Sequence, residues 1–153
     1  MNNKSKILVI DDDENILKVV ATILRDRGYD VDTAETGSEA ISKSEQNTYD
    51  LMLIDIRLPD IDGVEVLTRV RDTVPKIRKI IVTGYPTLQN AVAAANRNAD
   101  AYLTKPFELE KMLETIKEQL EKQKQERKFS EQRVAEFLQT RVKELSAEEI
   151  EPA

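Results

Sequence analysis

Acidic, hydroxyl and basic side chains follow short apolar runs at four places in this 153-residue chain. They are Asp11–Asp13, Asp55, Thr83 and Lys105. Carboxylates gathered in one crevice would repel one another, and a cation that prefers oxygen ligands, such as Mg²⁺, would remove that conflict. A lysine offers a compact positive charge for a phosphoryl group, and a threonine offers a hydrogen-bond donor. These residue types suit phosphoryl transfer, in which one carboxylate could be the nucleophile.

The composition excludes several other chemistries. Cysteine and histidine are both absent, so a disulfide scaffold, a thiol nucleophile, a Cys/His zinc site and a Ser-His-Asp triad are impossible. The net charge of −6 argues against a broad nucleic-acid surface. No apolar run approaches the roughly 20 residues of a membrane span, and the N-terminus lacks a signal-peptide core. We expect a cytoplasmic protein without direct membrane or nucleic-acid partners.

The elements that position these side chains are short strands that alternate with helical patterns. Because the strands are apolar on both faces, they predict an α/β fold, a doubly wound parallel sheet covered by helices on both sides. Ligands of such sheets bind beyond the carboxyl ends of the strands, where the acidic residues fall. Asp13 is expected to cap the first helix rather than to bind a metal. The predicted strands are Lys6–Ile10, Tyr29–Thr33, Leu51–Ile54, Ile80–Val82 and Ala101–Leu103.

Four segments together resemble the receiver domains of two-component response regulators. They are residues 7–14 (ILVIDDDE), 50–63 (DLMLIDIRLPDIDG), 81–84 (IVTG) and 101–107 (AYLTKPF). Each segment alone is weakly diagnostic, but all four occur in order and at strand ends. The resemblance implies a flavodoxin-like (βα)5 fold with strand order 2-1-3-4-5.

The resemblance also implies the roles of the site residues. Asp55 would accept a phosphoryl group from a phosphohistidine on a partner histidine kinase or phosphotransfer protein. Asp11, Asp12 and Asp55 would bind Mg²⁺ together with the backbone carbonyl of Arg57. Lys105 would contact the phosphoryl group, and the proline after it would follow a cis bond.

Phosphorylation would then act as a switch for protein contacts rather than as enzymatic turnover. Thr83 would follow the phosphoryl group, and Tyr102 would rotate inward as Thr83 moves. The face around Tyr102 would change its shape for a downstream protein partner. Tyr85 is placed near the mouth of the site, and Gly63 is expected to serve the turn into the third helix.

Two alternatives come from other functional classes. One is a structural adaptor or dimerisation module that acts through its C-terminal helix and is never phosphorylated in the cell. The other is a magnesium-dependent phosphatase with an aspartyl nucleophile. A phosphatase of that kind would need a general acid two residues beyond Asp55, and Arg57 occupies that position, so we reject it.

The C-terminal part divides into the last helix of a receiver domain over residues 1–127 and a helical tail over residues 128–153. One apolar stripe would pack the fifth helix on the sheet, and a second amphipathic segment would follow, with Ser130 as its possible cap. The second segment could form a self-dimer or dock on a partner, fold back on the receiver, or remain a solvated helix. The two stripes are Leu109, Met112, Leu113, Ile116 and Leu120, then Val134, Phe137, Leu138, Val142 and Leu145.

Overall fold

The computed structural model describes residues 4–70, 76–84, 87–96, 99–106 and 108–150. Within these ranges strands and helices alternate strictly, as the sequence predicts. The second strand begins and ends one residue later than expected. The elements are β1 Lys6–Ile10, α1 Glu14–Asp26, β2 Asp30–Ala34, α2 Gly37–Gln46, β3 Leu51–Asp55, α3 Gly63–Arg69, β4 Arg78–Thr83, α4 Leu88–Asn96, β5 Ala101–Thr104 and α5 Leu109–Ile150.

The five strands form one parallel sheet in the order β2-β1-β3-β4-β5, which confirms the flavodoxin-like fold. The register places Asp55 opposite Val82 and Thr83 opposite Thr104. The carboxyl ends of the strands therefore meet at one edge of the sheet. The polar residues that end β3 and β4, and those that follow β1 and β5, lie at this edge.

The sheet separates two aliphatic layers. On one face, Leu24 of α1 and Ile116 of α5 are fully buried against strand residues such as Ile7. On the other face, α2, α3 and α4 cover the sheet, with Val66 of α3 fully buried. Burial of each such large aliphatic side chain stabilises the fold by about 1.5–3 kcal/mol, so both helical layers are held mainly by packing.

Helix α1 begins directly behind the acidic segment, and its cap is Asp13. The Asp13 carboxylate accepts hydrogen bonds from the backbone N–H groups of Asn15 (2.9 Å) and Ile16 (3.3 Å). This confirms the capping role predicted for Asp13. The carboxylates of the two preceding residues, Asp11 and Asp12, are left for other contacts.

Helix α5 is continuous from Leu109 to Ile150, so Ser130 lies inside a helix and does not cap a new one. The expectation of a separate second segment is wrong, because residues 121–133 are rich in Lys, Gln, Glu and Arg, which propagate a helix readily. Every residue from 124 to 147 is exposed, which contradicts the fold-back alternative. Among the described helices, none combines the length and the apolar character that crossing a bilayer requires.

Candidate functional site

Three carboxylates lie together at the carboxyl edge of the sheet. Asp11 and Asp12 follow β1, Asp55 ends the neighbouring strand β3, and one oxygen of each lies within 4.8 Å of the others. Asp11 and Asp55 are buried, with 4% and 7% of their surface exposed, whereas Asp12 is open to solvent. A cluster of oxygen donors with one open side fits Mg²⁺, which keeps several water ligands when it binds to proteins. The sequence predicted that these three residues would meet.

Lys105, which follows the edge strand β5, reaches the same cluster. Its ammonium donates to Asp11 Oδ2 at 2.7 Å and to Asp55 Oδ2 at 3.1 Å. The backbone places it there, because the Lys105 N–H donates to the Thr83 carbonyl oxygen at 2.7 Å, one step beyond the last strand pair. The Lys105–Pro106 peptide is cis, as the resemblance implied.

Burial and charge oppose each other at this site. Burial raises the pKa of Asp55, and the charge of Asp11 adds to it, while hydrogen bonds from Lys105 and from the Arg57 N–H lower it. The net pKa of Asp55 lies above the ordinary value. Burial lowers the pKa of Lys105, but its hydrogen bonds and charge contacts with Asp11 and Asp55 outweigh this effect and leave that pKa raised. The site therefore favours further positive charge around Asp55.

The loop after β3 closes tightly on Asp55. The Arg57 N–H donates to Asp55 Oδ1 at 3.1 Å, and the Gly63 N–H donates to the Ile56 carbonyl oxygen at 2.8 Å. A Cβ atom on Gly63 would lie only 2.2 Å from the backbone oxygen of Asp55. Gly63 does begin α3, as expected, but its absent side chain also lets this turn approach the backbone of Asp55.

Asp60, for which the sequence predicted no role, connects the same loop to α2. Its two carboxylate oxygens accept hydrogen bonds from the Gly37 and Ser38 N–H groups, each at 2.8 Å. Hydrogen bonds from the Ser38 side chain and backbone, and from Gly37, hold the pKa of Asp60 far below its usual range. Nothing in the local pattern indicates this contact, because the partners are 22 and 23 residues apart.

Thr83 and Tyr102 lie on the neighbouring strands β4 and β5. Thr83 ends β4 and is buried, with 1% of its surface exposed. Tyr102 on β5 packs its half-buried ring against the α2–α3–α4 layer. Its buried hydroxyl has no hydrogen-bond partner among the described residues, and burial raises its pKa. Tyr85 lies outside the described residues.

Residues 7–117 match the family model of the response regulator receiver domain. The chain therefore belongs to this family, whose members act in two-component signalling and are typically phosphorylated and bound to Mg²⁺.

Particular relatives support the assignment. A CheY-like receiver domain protein from Methanospirillum hungatei JF-1 is 42% identical and superposes with a TM-score of 0.78, over 81% of this chain and 99% of its own. TrrA from Thermotoga maritima, solved in complex with Mg²⁺ and beryllofluoride, is 34% identical with a TM-score of 0.67, over 75% and 98%.

A curated relative, response regulator ArlR from Staphylococcus saprophyticus, is 36% identical over 79% of this chain and 54% of its own length. The transcriptional regulatory protein ZraR from Klebsiella oxytoca is 37% identical over 74% of this chain and 26% of its own length. This chain thus spans about half or less of these relatives.

Proposed function

We propose that this chain is a phosphoacceptor switch whose nucleophile is Asp55. The supporting observation is the convergence of three carboxylate oxygens within 4.8 Å, with the Lys105 ammonium bonded to two of those carboxylates. Asp11, Asp12 and Asp55, with the Arg57 backbone carbonyl, would hold Mg²⁺, which supplies charge neutralisation for the incoming phosphoryl group.

The donor is a phosphohistidine on a histidine kinase or phosphotransfer protein. An Asp55 oxygen forms the new bond to phosphorus, the bond between phosphorus and the imidazole nitrogen breaks, and the imidazole leaves and takes up a proton from solvent. Lys105, now paired with Asp11 and Asp55, is positioned to contact the added oxygens. The chain's part in the reaction is positioning and charge compensation.

The output is a change of shape on the face around Tyr102. Phosphorylation adds negative charge and three acceptor oxygens at Asp55, and Thr83 donates a hydrogen bond to one of them. The Tyr102 hydroxyl has no hydrogen-bond partner among the described residues, so rotation of this ring breaks no such bond in that part of the chain. The altered face then binds or releases a downstream protein.

A switch fits this site better than an enzyme with a separate substrate. Arg57 stands two residues beyond the nucleophile, and a guanidinium does not give up a proton to a leaving group at physiological pH. The two other carboxylates of this loop accept hydrogen bonds from helix N–H groups, Asp60 at the start of α2 and Asp62 at the start of α3.

The test is labelling with acetyl phosphate in the presence of Mg²⁺. We expect stoichiometric labelling of the native chain and none of Asp55→Asn, and EDTA should abolish the reaction. Asp13→Asn is the matched control, since asparagine is an equally good helix cap and Asp13 lies beside the site without joining the cluster. Persistent labelling of Asp55→Asn, or an unchanged rate in EDTA, would refute the assignment.

A further inference from the structure

The free part of α5 carries an exposed apolar stripe. With a rotation of 100° per residue, the five apolar residues of this stripe fall within an arc of about 140° on the helix surface. Met112, Ile116 and Leu120, which are buried on the sheet, fall in the same sector. We call the exposed part the tail stripe; its members are Val134, Phe137, Leu138, Val142 and Leu145, which are 45–67% exposed.

Polar contacts fix the direction in which this helix leaves the domain. The Gln123 side chain donates to the Asp50 carbonyl oxygen at 2.9 Å, and Arg127 lies 3.7 Å from the Asp50 carboxylate. Glu126 accepts a hydrogen bond from Arg78 at the start of β4. These contacts lie at the amino edge of the sheet, opposite the acidic cluster. The tail stripe thus projects from that edge on a helix anchored to the domain.

The charges along the free helix are unevenly divided. Residues 124–133 contain four basic and two acidic residues, and residues 134–150 contain two basic and four acidic residues, giving +2 and −2. Residues 1–123 contain 17 basic and 22 acidic residues, a net charge of −5. In a parallel pair, the basic halves of the two helices would lie side by side, and so would the acidic halves. The two acidic domains would also lie side by side. Two antiparallel copies would separate the domains. Residues 134–145 contain two basic and two acidic residues, and antiparallel pairing of this segment would set Glu136 of each copy opposite Lys143 of the other.

We propose that the tail stripe pairs with the tail stripe of a second copy of this chain, with the two helices antiparallel. In the central register, Val134 lies opposite Leu145 and Phe137 lies opposite Val142. The same register sets Glu136 opposite Lys143. This inference goes beyond the phosphoacceptor function and does not rest on it, because the helix is anchored at the edge of the sheet remote from Asp55.

The first test is the mass of the full chain by sedimentation equilibrium over a series of concentrations. We expect a reversible dimer, and Val142→Glu should weaken it by about tenfold or more, because in this register the new carboxylate would be buried opposite the apolar ring of Phe137. Phe129→Glu is the matched control: Phe129 is 60% exposed on the opposite side of the helix, and its variant should dimerise like the native chain. Circular dichroism should show that both variants keep their helix content.

Cysteine pairs test the orientation, because the native chain has no cysteine. A disulfide needs Cα atoms within about 7 Å, so cross-linking reports which positions face each other. We expect a mixture of Val134→Cys and Leu145→Cys chains to form the mixed disulfide in preference to either self-pair. Preferred self-pairing of each variant would show parallel helices and overturn the proposed orientation. A monomer at all concentrations would overturn the pairing itself.

Phosphorylation is separated from pairing by Asp55→Asn. We expect this variant to dimerise with the native affinity while it fails to accept label. Loss of the dimer in Asp55→Asn would contradict the independence of the two sites. A failure of labelling in a dimeric native chain would instead count against the phosphoacceptor function alone.

Discussion

Replacing Gly63 with alanine tests whether a close backbone approach positions the phosphoacceptor. The added Cβ would lie 2.2 Å from the backbone oxygen of Asp55 and 2.8 Å from the Cα of Ile56. Both neighbours are backbone atoms, so the loop must move by about 1 Å, and overpacking of this kind costs about 1–3 kcal/mol. Because Asp55 is the residue displaced, we expect Gly63→Ala to lower both the free energy of unfolding and the rate of labelling.

Gly84→Ala is the matched control, because its Cβ would lie 3.8 Å from the nearest atom, the Cβ of Lys105, at ordinary contact distance. Urea denaturation gives the free energy of unfolding, and acetyl phosphate labelling in Mg²⁺ gives the rate. We expect Gly63→Ala to lose at least about 1 kcal/mol and to label several-fold more slowly, whereas Gly84→Ala should stay within about 0.5 kcal/mol of the native chain. Native-like stability and labelling in Gly63→Ala would refute the argument that this approach positions Asp55.

Three further predictions follow from the charges of the site. Mg²⁺ at a hundredfold excess over its dissociation constant should stabilise the native chain by about 2.7 kcal/mol in thermal unfolding, and an equal gain in Asp12→Ala would argue against the metal site. The pKa of Asp55 is raised in the folded state. The contribution of Asp55 to the free energy of unfolding is therefore present below its ordinary pKa of 3.8, and it is lost as the pH rises through the pKa of the folded state. The metal-free native chain should therefore lose stability relative to Asp55→Asn between acid and neutral pH. If urea denaturation gives the same difference in the free energy of unfolding at every pH, this prediction is contradicted. Because the pKa of Asp60 is lowered in the folded state, Asp60→Ala should have a smaller free energy of unfolding than the native chain at neutral pH. This difference in free energy should decrease as the pH falls below 3.8. A difference that does not depend on pH would show that the hydrogen bonds of the Asp60 carboxylate to α2 contribute nothing.

The sequence predicted the parallel sheet and the acidic cluster because both follow from local patterns, whereas the strand order was implied only by the resemblance to receiver domains. Strands that are apolar on both faces indicate a covered parallel sheet, and in such a sheet the residues after the strands share one edge. This placed Asp11, Asp55 and Lys105 together although they are far apart in the chain. The exact contacts, such as the bonds from Lys105 to both carboxylates, required the structure.

Contacts made by single polar residues across long separations were not predictable. Gln123 reads as a polar break in an apolar stripe, yet it is buried and donates to carbonyl oxygens at the amino edge of the sheet. Asp60 reads as a turn residue, yet it satisfies the first N–H groups of α2. The prediction of a cap at Ser130 was wrong, because the sequence does not distinguish a capping serine from a serine on an exposed helix face when the neighbouring residues all favour helix.

The acidic cluster lies at the carboxyl edge of the sheet, and the tail stripe projects from the amino edge. Helix α5 begins just after Lys105 at the carboxyl edge and carries the tail stripe. A signal between the acidic cluster and the tail stripe would have to move this helix, yet Met112, Ile116 and Leu120 are interlocked with the sheet and are at most 4% exposed. Packed side chains do not slide continuously, because any shift opens voids or forces overlaps. Phosphorylation therefore acts on the tail only if it drives α5 into a second discrete packing. Without such a state, the face around Tyr102 responds to phosphorylation while the free helix serves assembly alone.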